Sequence, residues 1–198
     1  DTEFVLTTVG QVKGFVTLAN AGNTFAGKTI KLGADIVWNT GDAATYATTA
    51  PANVWTPIAS FKGTFDGDGH TISGLRLSGE QNAQGFFRYL TETAQVENLH
   101  LEGTVQPEGS AGTVGGFVGE NSGILRACSF TGTVSGKEYI GGIAGVNTVT
   151  GILENCRTYL VALYLFEKEG LTLSASDLKS IDDKMQELVL TDGNGSKT

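Results

Sequence analysis

Ile72-Ser73-Gly74-Leu75-Arg76-Leu77-Ser78-Gly79, Val96-Glu97-Asn98-Leu99-His100-Leu101-Glu102-Gly103, Leu125-Arg126-Ala127-Cys128-Ser129-Phe130-Thr131-Gly132 and Leu153-Glu154-Asn155-Cys156 repeat one pattern every 24 to 29 residues. Stacked, they align the apolar columns Ile72/Val96/Leu125/Leu153, Leu75/Leu99/Cys128/Cys156 and Leu77/Leu101/Phe130, with Gly79/Gly103/Gly132 alongside. A second register runs between the rows, through Gly85-Phe86-Phe87, Gly116-Phe117-Val118 and Gly142-Ile143-Ala144. Short alternating strands with glycine corners at this period specify an all-β solenoid, in which each coil buries the face of its neighbour.

Composition agrees with one folded domain, with or without a small appendage. The 28 glycines are spread over turn positions, and 40% hydrophobic against 17% charged residues suits a packed core. A net charge of −8 leaves no basic stripe for nucleic acid and disfavours an anionic membrane surface. No run of about 18 apolar residues occurs, so no membrane insertion is expected. The opening Asp1-Thr2-Glu3-Phe4 lacks the basic and apolar segments of a signal peptide; if the protein is exported, this is a mature or trimmed chain.

Thr8-Val9-Gly10-Gln11 has the spacing of a capping box, and Val12, Phe15, Val16 and Ala19 follow on one helical face, with Gly22 and Asn23 as the stop. Such a helix would cover the open end of the first coil. Thr29–Leu32 and Asp35–Trp38 alternate as strands. Asn39–Asn53 reads as a polar excursion, and Phe61–Ile72 as strand, tight turn, strand. Beyond Arg157 the pattern breaks. The expected division is a β-helix with its cap helix over 1–157, and a helical cap or appendage with a frayed tail over 158–198. Leu160, Leu163, Phe166, Leu178, Ile181 and Leu188 are available there to cover the last coil.

Gly115-Gly116-Phe117-Val118-Gly119-Glu120-Asn121-Ser122-Gly123 and Ile140-Gly141-Gly142-Ile143-Ala144-Gly145-Val146-Asn147 resemble consecutive GLUG repeats. So do Asn23–Leu32, Trp55-Thr56-Pro57-Ile58 and Phe65–Leu75, so that the resemblance spans roughly residues 5 to 157. It implies a right-handed parallel β-helix and a place in bacterial surface proteins, extracellular or at the cell surface. It implies no activity, because the family is defined by its scaffold. Leu165–Leu173 with Asp177-Leu178-Lys179 bears a short, degenerate resemblance to helical regions of exported parvulin-type foldases and is read as a cap or junction.

The reading for function is therefore a non-catalytic repeat module acting as adhesin, spacer or binding platform, without cofactor or metal. Its partner would be a host or surface glycan or a protein ligand, and the chain itself a monomer or self-associating end to end. The candidate contact residues lie on the excursion: Trp38 and Trp55 at its ends and Tyr46, the freer of the three, near its middle. The two tryptophans also suit packing of the loop onto the wall.

The alternative is a carbohydrate-active β-helix enzyme whose acids are Asp66 and Asp68 with His70, although Asp66-Gly67-Asp68-Gly69 is equally what a tight turn requires. A structural subunit of an extracellular assembly is a third class. His100 is placed on the outer face. Cys128 and Cys156 are expected to stack as small buried side chains, a disulfide being disfavoured between parallel neighbours; neither makes a zinc spacing with the two histidines.

Overall fold

The computed structural model describes residues 2–41, 45–46, 49–108 and 111–160. Its strands are β1 (Glu3–Leu6), β2 (Thr29–Leu32), β3 (Ile36–Val37), β4 (Thr64–Asp66), β5 (Thr71–Leu77), β6 (Ala83–Gln84), β7 (Phe87–Leu90), β8 (Gln95–Glu97) and β9 (His100–Val105). They continue as β10 (Thr113–Gly115), β11 (Val118–Asn121), β12 (Ile124–Arg126), β13 (Ser129–Val134), β14 (Tyr139–Gly141), β15 (Ala144–Asn147), β16 (Ile152–Glu154) and β17 (Arg157–Leu160). One helix, α1 (Val9–Asn20), lies between β1 and β2.

All strand pairs are parallel. They stack as one six-stranded sheet β1-β2-β4-β8-β12-β16, one five-stranded sheet β3-β5-β9-β13-β17, and two three-stranded sheets β6-β10-β14 and β7-β11-β15. The chain is thus an all-parallel β-solenoid, as the repeat implied.

Stacking in register turns the sequence columns into continuous apolar rows. Phe65 pairs with Val96, Val96 with Leu125 and Leu125 with Leu153; Leu101 pairs with Phe130, and Val118 lies between Phe87 and Ala144. Phe65, Val96, Leu101, Leu125, Phe130, Phe87 and Val118 are all fully buried. Only the first quoted row is displaced. Ile72 pairs with Leu101, not with Val96, and Leu75 with Gly103. The quoted row sets Ile72 of β5 against Val96 of β8, one strand too early; the corner before β5 is also longer, four residues, 67–70, against two, 98–99, before β9. A bulge between Ile72 and Leu75 shifts the register further.

α1 forms as its sequence dictates. Thr8 caps it, its side chain accepting from the Gln11 N–H while Gln11 Oε1 accepts from the Thr8 N–H at 3.1 Å. At the other end Gly22, at φ 104°, closes a Schellman motif: Asn23 N–H donates to Leu18 O and Gly22 N–H to Ala19 O. Phe15 drives into an aromatic cluster, 5.1 Å from Phe25, 6.1 Å from Phe61 and 5.7 Å from Phe65 between ring centroids. A strand not foreseen in the sequence, β1, precedes the helix and adds an edge to the six-stranded sheet. At the other end β17 runs to Leu160, so the solenoid passes the expected limit at 157; the helical reading of the remainder, 161–198, lies outside the described residues.

The excursion after β3 is zipped at its base by two asparagines. Asn39 Nδ2 donates to Asn53 O at 2.7 Å and to Gly74 O at 2.8 Å, and Asn53 N–H donates to Asn39 Oδ1 at 2.9 Å. Gly74, at φ 72°, permits the approach, since a Cβ there would collide with the Asn39 backbone.

Asn39→Ala should therefore orphan the Asn53 N–H and the Gly74 carbonyl and lower stability by about 2–3 kcal/mol in urea unfolding. A loss under about 0.5 kcal/mol would show the zip to be ornamental. At the corner shared by Asn98, Ala127 and Asn155, all three residues adopt φ near 50°. Alanine resists this conformation and asparagine accepts it. Ala127→Asn should raise stability by about 0.5–1 kcal/mol; an unchanged or lower midpoint would refute that reading of the corner.

Candidate functional site

The acidic corner is built on a turn from Gly67 to His70, closed by His70 N–H donating to Gly67 O at 2.8 Å. Asp68 at φ 50° and Gly69 at φ 81° give it the type I′ geometry that Asp-Gly favours. Each candidate side chain is engaged. Asp66 Oδ1 accepts from the Asp68 N–H at 2.9 Å and from Asn98 Nδ2 at 3.1 Å. Asp68 pairs with Lys31 at 3.1 Å, which holds the Lys31 ammonium above its ordinary pKa. His70 Nδ1 sits 3.1 Å from Asp35 Oδ1. Asp35 is kept below the usual carboxylate range, first by the Thr71 N–H at 2.9 Å and then by His70. Asp66, Asp68 and His70 thus flank one turn, each bonded to a neighbouring group. Among the described residues, no group of three acids, histidines or cysteines is placed to hold a metal ion.

All three aromatic candidates are buried, the two tryptophans as their packing reading requires and Tyr46 against expectation. Trp55 is 1% exposed, stacked on Phe86 at 4.1 Å with its Nε1 donating to Phe86 O at 3.1 Å. Trp38, at 5%, meets Trp55 edge-on at 4.9 Å and carries Lys13 Nζ 5.4 Å above its ring. The tryptophans therefore pack the excursion onto the wall. Tyr46, expected to be the free one, is 4% exposed. Its ring has folded back beneath the loop, because a polar segment still lowers its free energy by burying its one large aromatic. The excursion leaves a cleft of about 460 Å³ lined by Trp38, Thr40, Tyr46, Ala50 and Asn53, in which Trp38 Nε1 has no hydrogen-bond partner.

His100, on the outward side of β9, has Ser129 Oγ 2.6 Å from its Nδ1. The stacked rows of the sequence already set His100 opposite Ser129, and the structure pairs them as cross-strand neighbours of successive coils. Cys128 and Cys156 are free thiols, the first buried as expected and the second half-buried. The hydrogen bond to Cys156, together with burial, pushes the Cys128 thiol above its ordinary range.

A second cleft, of about 580 Å³, lies where the end of α1, the segment 54–59, the segment 78–81 and strands β6 and β7 meet. Gln84 and Arg88 face it from the solenoid wall, and Glu80 and Gln81 from the segment above. Neither Glu80 nor Arg88 forms an ion pair among the described residues.

Comparison with known proteins bears on the scaffold. The GLUG motif family matches residues 110–135, which hold β10 to β13 and so make one turn of the coil. Over 104 residues, 52% of the chain, the sequence is 36% identical to halomucin of Haloquadratum walsbyi; the matched part is 1% of that protein's length. No solved structure matches. No described helix is long and apolar enough to cross a membrane. The chain carries a GLUG motif at residues 110–135, where it forms one coil of a parallel β-solenoid.

Proposed function

We propose that this chain is a non-catalytic module of a secreted or cell-surface protein, serving as adhesin, spacer or binding platform. The observation that carries the reading is the engagement of Asp66, Asp68 and His70 in the bonds of their own corner. A glycosidase or lyase needs two such groups free and facing one substrate bond. The GLUG match and the similarity to halomucin support a repeat module, although the chain spans about one hundredth of that relative.

Incubation with acidic and neutral polysaccharides, with and without calcium, should release no new chain ends. Turnover that disappears in Asp66→Ala or Asp68→Ala, with the melting temperature unchanged, would reverse this assignment.

A structural role by end-to-end association is the second reading, and one column favours it. Phe65, Val96 and Leu125 are fully buried, yet Leu153 in the next coil is 42% exposed and Ile152 beside it 48%. An apolar layer at the end of a coil is what a second solenoid end, or the chain beyond Leu160, would cover. Sedimentation should then show mass rising with concentration, abolished by Leu153→Asp; a constant monomer at all concentrations would rule it out.

A further inference from the structure

The 580 Å³ cleft combines a buried, unsatisfied acceptor with an unpaired cation. Gln84 is 1% exposed, and its Nε2 donates to Gln81 O at 2.8 Å. That bond fixes the amide orientation and leaves Oε1 without any hydrogen-bond partner. An orphaned buried carbonyl is costly, about 1–3 kcal/mol, and calls for a donor from outside the chain. Gly79 stands directly above it. A Cβ at that position would lie 3.1 Å from Oε1 and 3.2 Å from Nε2, so a glycine is what lets the backbone pass this close to the amide.

Arg88 borders the same space. Its Nε donates to Ala83 O at 3.3 Å and its guanidinium lies 5.4 Å from the Tyr89 ring centroid. These contacts orient the fork and leave its terminal nitrogens for a ligand. Glu80 supplies a second acceptor at the rim, while Val54 and Pro57 offer apolar surface opposite. The volume lies in the range of small-molecule sites.

The geometry points to a binding site for a carboxylated sugar, with Arg88 taking the carboxylate in a forked pair, Gln84 Oε1 and Glu80 accepting from ring hydroxyls, and Val54 and Pro57 meeting the C–H face. A sugar is favoured over a peptide carboxylate because two acceptors, Gln84 Oε1 and Glu80, face the cleft beside one cation, and vicinal hydroxyls supply donors for both. With a net charge of −8 the protein has no general affinity for polyanions, so capture rests on Arg88 locally. This inference rests on the binding-platform reading and names the ligand class for it.

The test is titration of the isotope-labelled full chain with trigalacturonate, with a neutral galactose trimer and an acetylated tripeptide carboxylate as counterparts, followed by amide NMR shifts. Trigalacturonate should perturb residues 54–59 and 78–88. Arg88→Gln should weaken it by about tenfold or more while Arg88→Lys retains part of the affinity. Gly79→Ala, which crowds the amide and pushes Oε1 from its place, and Gln84→Met, which removes the acceptor at similar volume, should each weaken binding by about tenfold with the melting temperature held.

No saturable shift at these residues, equal binding of the neutral trimer or the peptide, or unchanged affinity in Arg88→Gln would each overturn the site. Should Gln84→Met fail to fold, the surface variant Arg88→Gln decides alone. Absence of binding leaves the non-catalytic assignment standing, whereas hydrolysis of the trimer would overturn that assignment and leave the site.

Discussion

Each strand of this protein lies one layer, about 4.8 Å, from the strand one coil earlier, parallel to it and in register. Equivalent residues of successive coils must therefore tolerate each other as direct neighbours. Inward columns become rows of one chemical type: Phe65, Val96 and Leu125 in one sheet, Ile72, Leu101 and Phe130 in another. Where backbones of adjacent layers come closest, no side chain fits. Gly103 and Gly132 are cross-strand partners, and a Cβ on Gly132 would strike the Gly103 carbonyl. The glycine content of the chain follows from this crowding as much as from its turns.

The same constraint governs the outer face. Asp66 stands beside Glu97, Glu97 beside Arg126 and Arg126 beside Glu154. Arg126 bridges two carboxylates, at 2.8 Å to Glu154 and 3.8 Å to Glu97, and its guanidinium is held above its usual pKa by Glu154 first. Exposed pairs of this kind contribute little stability. What they supply is register, because a one-residue slip would set Arg126 opposite Leu153 or Asn155 and turn the inward row outward. Asn121 and Asn147 form an inner counterpart, joined at 2.8 Å with the first wholly buried. Polar residues that look catalytic in a linear sequence are thus consumed in ladders once the coils stack.

What could be read from the sequence was local or strictly periodic. The capping box at Thr8 and Gln11 involves four consecutive residues, and the columns through Val96, Leu125 and Leu153 repeat with equal corners, so both were legible. The row at Ile72 is five residues out of register because Leu75-Arg76-Leu77 resembles Leu99-His100-Leu101, whereas it is Ile72 that pairs with Leu101. β1 is only four residues long, with Phe4 and Val5 half open to solvent, and gives no periodic signal. The burial of Tyr46 depends on how the excursion folds over itself. The cleft at Gln84 and Arg88 joins Asn20, Val54 and Gly79, brought together only by the stacking of α1 and the second coil.

The most direct test of the stacked register is the set of nuclear Overhauser contacts across β5, β9 and β13 in the intact chain. In-register parallel coils require cross-strand contacts from Ile72 to Leu101 and from Leu101 to Phe130, with Val96 meeting Phe65 and Leu125 instead. Direct cross-strand contacts between Ile72 and Val96, or an antiparallel pattern between any two of these strands, would contradict the account.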